Sequence, residues 1–110
     1  MDNIPFIIVP LIFIVFDVIT GVLKAIKEKN LSSTKAREGL YHKTGFMLLI
    51  IFSTFLNFAQ NYFTLGIEVP VLQAVSVYIC ATETISTLEN ISRISPELNK
   101  FLSKFLEEKK

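Results

Sequence analysis

All eleven Lys and Arg side chains of this 110-residue chain fall in two stretches, residues 24–43 and 93–110. Residues 1–23 and 44–92 hold no cation, and the apolar residues collect there. A soluble domain of this length hides its apolar residues by spacing them at period 2 or 3.6 among polar ones. Here they run on almost unbroken, through Phe6-Ile7-Ile8-Val9 and again through Met47-Leu48-Leu49-Ile50-Ile51-Phe52. With 51% hydrophobic residues, that segregation points to an all-α membrane protein with several spans.

A spanning helix takes roughly 20 apolar residues. Three stretches meet this, at about 4–25, 45–63 and 69–88, in a single membrane domain over residues 1–110. Pro70 suits the first turn of the third helix, where an N–H has no intrahelical partner to lose. The first span reads as uncleaved: Asp2 stands where a signal peptide carries basic residues, and no small-x-small cleavage site follows. Cys80 is the single cysteine and lies in an apolar run, so no internal disulfide is expected.

Orientation follows from the cations. The segment between the first two spans carries Lys24, Lys27, Lys29, Lys35, Arg37 and Lys43, and short Lys/Arg-rich loops stay cytoplasmic. The turn at 60–69 carries only Glu68 and should lie outside. Arg93, Lys100, Lys104, Lys109 and Lys110 then fall on the same side as the first basic segment. The expected topology is N-terminus outside and C-terminus cytoplasmic, with the basic residues at the membrane surface.

Polar residues inside the spans are expensive, at about 2.5–3.5 kcal/mol for a mid-bilayer carboxylate on insertion scales, so they face protein or water. Asp17, Thr20, Gly21 and Lys24 share one helical face at i, i+3, i+4, i+7. In the second span Ser53, Asn57, Gln60 and Thr64 do the same. In the third, Gln73, Ser76, Cys80, Glu83, Thr87 and Asn90 step by 3 and 4, with Glu89 near the inner end. Such stripes either bond helix to helix or line a wet path. Three short helices cannot enclose a sizeable lumen, so a path would require an oligomer. For Asp17 the plainer alternative is a local pair with Lys24, whose stem can snorkel to the interface.

The loop before the second span reads as a helix end, a turn and a second short helix, capped by Ser32, Ser33 or Thr34. The tail, 96–110, reads as an amphipathic helix. Ser95 is its N-cap, with Pro96 and Glu97 in the first turn. Leu98, Phe101, Leu102, Phe105 and Leu106 form an apolar stripe suited to an anionic inner leaflet or a partner helix, with Lys100 and Lys104 on other faces. Nothing points to catalysis: there is no Ser-His-Asp set, phosphate loop or metal constellation, and the one His, His42, stands alone beside Lys43. No cofactor, metal or nucleic-acid partner is expected.

The segment 16–45 carries Phe16-Asp17, Thr20-Gly21, Leu31-Ser32-Ser33 and Lys43-Thr44-Gly45. It resembles the start of the toxin-secretion/phage-lysis holin family, which shows an aromatic-Asp pair, T-G, a Lys-rich L-S-S loop and a closing K-x-G. Glu83, Ser86, Glu89 and Asn90 are similar in spacing to that family's E-x-x-S-x-x-E-N end. The middle span matches in hydropathy alone. The resemblance implies a holin, not an enzyme: a protein that homo-oligomerises in the bacterial cytoplasmic membrane into timed, non-selective lesions. These release a murein hydrolase or a toxin, without direct contact being needed. Two other classes fit the same residues, a small oligomeric ion or solute transporter and a non-pore membrane subunit such as an antiholin. On the holin reading Asp17, Glu83 and the third-span stripe are hidden at low density and turn toward water on assembly.

Overall fold

The computed structural model describes residues 3–63 and 70–107, with side chains through residue 104. Among these the chain forms four α-helices: α1 (Ile4–Lys27), α2 (Ser33–Ala59), α3 (Val71–Ile94) and α4 (Pro96–Glu107). The first three are each long and apolar enough to cross a membrane. At 1.5 Å per residue they measure about 36–40 Å, somewhat more than a hydrocarbon core of about 30 Å. The fold is all-α, with three span-length helices and a short C-terminal one.

The second short helix expected before the second span does not stand apart. It is the first part of α2, which begins at Ser33 and runs unbroken to Ala59. No proline interrupts it, and Gly39 and Gly45 each cost only about 1 kcal/mol in a helix held by its neighbours. Ser32 starts it from an extended backbone, and its hydroxyl accepts the Lys35 N–H at 3.4 Å. The connection from α1 is therefore only residues 28–32. At the other end α3 stops at Ser95, which is extended because Pro96 bars the helical region to its predecessor. Thr64, Glu68 and the rest of the expected outer turn beyond residue 63 lie outside the described residues.

The first two helices are neighbours in sequence but not in packing. Helix α3 lies in the centre, against α1, α2 and α4, while α1 and α2 barely touch. Helices α1 and α3 run parallel in constant register: Asn3 meets Gln73, Phe6 meets Ser76 and Thr20 meets Asn90, each pair 70 residues apart. Helix α2 runs antiparallel to both. The inward faces step alternately by 3 and 4. They are Ile7, Pro10, Ile14, Asp17 and Gly21 on α1; Lys43, Phe46, Ile50, Ser53 and Asn57 on α2; and Leu72, Ser76, Ile79, Glu83, Ser86 and Asn90 on α3. That 3.5-residue period is the pattern of supercoiled helices. The α3 face sits one position off the polar stripe expected from sequence. Leu72 and Ile79 are buried, whereas Gln73, Cys80 and Thr87 lie half-buried on the flank. Close packing needs apolar volume between the polar positions, and Leu72 and Ile79 supply it.

Ile14, Phe46, Ile50, Leu72 and Ile79 make the apolar core, with Phe6, Ile7, Leu11 and Val75 packed against it. Many other apolar side chains point outward, among them Ile8, Ile12, Val15, Phe16 and Ile19 on α1 and Leu48, Ile51, Phe52 and Phe55 on α2. In water so large an apolar surface is an aggregation site; acyl chains cover it at no cost. Thr44, Thr54, Thr82 and Thr84 return their hydroxyls to the carbonyl four residues back, which keeps them satisfied in lipid.

Pro10 shows how the packing repairs a local defect. It lies inside α1, fully buried, and has no N–H to return to the Phe6 carbonyl. The Ser76 hydroxyl of α3, whose single proton is shared with the Leu72 carbonyl at 2.8 Å, bonds that carbonyl instead. Ser76→Ala is expected to lower stability in detergent by about 1–3 kcal/mol, the cost of a stranded buried acceptor. In a Pro10→Ala background, where the N–H is restored, the same substitution should cost less than half as much. Equal losses in both backgrounds would show that Ser76 does not act through Phe6.

Candidate functional site

The three span-length helices bring three charges to one level. The Lys43 ammonium of α2 bonds both the Asp17 carboxylate of α1 and Glu83 Oε2 of α3, the latter at 2.5 Å. Glu83 is 1% exposed and Asp17 8%, so neither carboxylate is solvated in the single chain. Asp17 lies ten residues before the end of α1, Lys43 ten after the start of α2 and Glu83 eleven before the end of α3. All three are thus about 15 Å from the basic ends of the helices.

The remaining valences of Asp17 are filled from α3. Its Oδ1 accepts from Ser86 Oγ at 2.6 Å and from Asn90 Nδ2 at 3.0 Å. Asn90 also reaches Thr20 Oγ1 at 3.1 Å. Gly21 lies beside it, and a Cβ there would stand in ordinary van der Waals contact with Asn90 Nδ2, at 3.6 Å. Two carboxylates, one ammonium, two hydroxyls and an amide thus form one network across α1, α2 and α3. Buried charges hold only when paired and fully hydrogen-bonded, because each carries a desolvation penalty of several kcal/mol.

A second, uncharged layer lies toward the other end. The Leu72 N–H, left unpaired at the start of α3, donates to Asn57 Oδ1 at 3.3 Å. Asn57 Nδ2 donates to Gln73 Oε1 at 3.1 Å, and Gln73 Nε2 to Asn3 Oδ1 at 3.4 Å. Between the two layers sits the apolar core. Within it Ser53, 1% exposed, has the one buried side-chain polar atom without a hydrogen-bond partner among the described residues.

The candidate residues thus separate. Asp17, Thr20, Gly21, Glu83 and Asn90 meet in the charged network, and Asn57, Gln73 and Ser76 near the other end. Thr87 stays half-buried on the flank, and Glu89 is exposed, away from the network. Of the basic residues, Lys29, Lys35, Arg37, Lys100 and Lys104 are exposed and Lys24 is half-buried. Lys27 closes the end of α3, donating to the carbonyls of Arg93 (3.1 Å) and Ile94 (2.7 Å). Arg93 pairs with Glu28 at 2.9 Å, an exposed contact of small worth.

Lys43 corrects the sequence reading. Expected at the membrane surface, it turns inward, and Asp17 takes it as partner rather than Lys24. The signal was present: stepping back from Asn57 through Ser53, Ile50 and Phe46 by 4, 3 and 4 leads, after one more step of 3, to Lys43. In the tail, α4 folds against α3 and buries Leu102, while Phe101 stays 72% exposed near Lys100 and Lys104. The side chains of Phe105 and Leu106 lie outside the described residues.

A family model described as the bacteriophage holin family matches residues 3–110. No curated protein and no solved structure matches the chain. The holin family is not an enzyme family, and its members work in the bacterial inner membrane, where three span-length apolar helices belong. The match takes in all four helices and every residue of the charged network, so the chain belongs to the bacteriophage holin family as an integral membrane protein.

Proposed function

We propose that this holin accumulates in the cytoplasmic membrane with Asp17 and Glu83 hidden by Lys43, then homo-oligomerises into lesions that turn the network toward water. The lesions are non-selective and release a murein hydrolase or a toxin, with which the holin makes no necessary contact. The buried three-charge network carries this reading. It is costly in lipid and gains hydration once a wet lumen forms. One chain measures 52 × 33 × 22 Å, and helices about 10–12 Å across fill that slab, so the lumen belongs to the oligomer. The N-terminus lies outside and the C-terminus in the cytoplasm. There the surface cations, from Lys24 and Lys27 to Lys100 and Lys104, face inner-membrane lipids.

Inducible expression in bacteria, with and without a cytoplasmic endolysin, tests this. The expected result is a delayed, abrupt loss of membrane potential, with lysis only when the endolysin is present. Saturable, substrate-specific flux would instead mark a transporter. Unchanged potential with the protein in the membrane would mark a non-pore subunit such as an antiholin.

A further inference from the structure

The connectivity of this bundle and its packing disagree. The turn at 28–32 ties α1 to α2, yet α1 scarcely touches α2 and lies along α3 instead. The tether therefore does not determine whose α3 receives α1. A second copy presents the same α3 face, and every link from Asn3–Gln73 to Lys27–Ile94 forms there unchanged. Five residues reach up to about 17 Å when extended, more than the 8–10 Å between adjacent helix axes.

The tether is also strained. Lys29 has φ 53, the one positive value on a non-glycine residue among the described residues. It closes α1 with Lys29 N–H on the Ile26 carbonyl (3.2 Å) and Asn30 N–H on the Ala25 carbonyl (2.9 Å). Glycine is the usual residue at such a helix end, and a side chain there costs about 1–2 kcal/mol. Opening the turn releases that strain while the α1–α3 interface is conserved. Every intramolecular α1–α3 link, and the α1–α2 contact of Asp17 with Lys43, is given up and restored by a neighbouring copy.

We propose that copies assemble by exchanging α1. The α1 of one copy lies on α3 of the next, and its Asp17 completes the network with that copy's Lys43 and Glu83. Passed from copy to copy, this contact is heterologous and generates rings or open chains rather than a closed pair. The proposal rests on the lesion reading above for its oligomer and adds how the copies join.

The full-length chain in bacterial membranes provides the test. In a Cys80→Ala background, one tagged copy carries Asn3→Cys and a differently tagged copy Gln73→Cys. Oxidation is expected to give no disulfide between the two chains before the potential falls, and a prominent one afterwards. A chain carrying both cysteines, oxidised early, should lock α1 on its own α3 and hold the potential until a reductant is added. Lys29→Gly relaxes the closed turn and should lower the cross-chain product roughly fivefold, the equilibrium equivalent of about 1 kcal/mol. Lys29→Pro, which forbids positive φ, should raise it. If the locked chain makes lesions on schedule, or lesions form with no cross-chain disulfide, the exchange is overturned and the lesion reading stands. If the parent chain never lowers the potential, the lesion reading falls and the exchange with it.

Discussion

Lys43→Met is expected to bring the collapse of membrane potential sharply forward at equal protein level, followed with a potential-sensitive dye and normalised by immunoblot. The substitution leaves Asp17 and Glu83 buried without their shared cation. Breaking a buried pair from one side costs about 3–5 kcal/mol, roughly two to four powers of ten in the balance between the hidden and the hydrated arrangement. The triple variant Asp17→Asn, Glu83→Gln, Lys43→Met removes the charges together and should accumulate normally. It should then lower the potential late or not at all, because no carboxylate gains hydration. Neutralising Asp17 and Glu83 alone is the weaker experiment, since it strands Lys43. A triple variant that keeps the parent's timing would show that the charges position helices and do not set the onset.

The second large effect centres on Asn90, 6% exposed and bonded to Asp17 and Thr20. Asn90→Asp exchanges the amide donor for a third acid about 3.0 Å from Asp17. Repulsion then adds to the lost hydrogen bonds in a low-dielectric site. The expected outcome is a steep fall in membrane-inserted protein and an unfolding midpoint in detergent lowered by the equivalent of several kcal/mol. Asn90→Leu loses the same donors without adding charge and should cost about 1–3 kcal/mol. If Asn90→Asp matches the parent in level and midpoint, Asn90 does not hold Asp17.

The sequence carried much of this because lipid imposes strong rules. Apolar stretches long enough to span are visible directly, since the backbone must satisfy itself within each helix. Ser95-Pro96 announced the break before α4, where proline's steric demand is local. The start of α2 was legible in its Ser32 cap, but its continuity with the second span was not, because the polar stretch 33–44 reads as a separate short helix until the absence of proline is weighed. The positions of Asp17, Glu83 and Asn90 on inward faces were legible from their spacing. Lys43 was not, because a lysine at the edge of a cation-free stretch ordinarily snorkels outward. Its inward turn depends on two acids supplied by helices distant in sequence.

By itself, then, the sequence determined the class, three apolar helices of spanning length followed by a short amphipathic one, together with the residue spacings that mark the holin family. Those are properties of single segments and of the solvent each must meet. Only the tertiary structure decided that α1 lies parallel on α3 rather than on its neighbour α2, that Ser76 repairs the gap left by Pro10, and that Lys43 joins Asp17 to Glu83. Each depends on which faces meet across 26 to 70 residues of chain, and in a bilayer that choice is made by close packing and buried hydrogen bonds rather than by hydropathy.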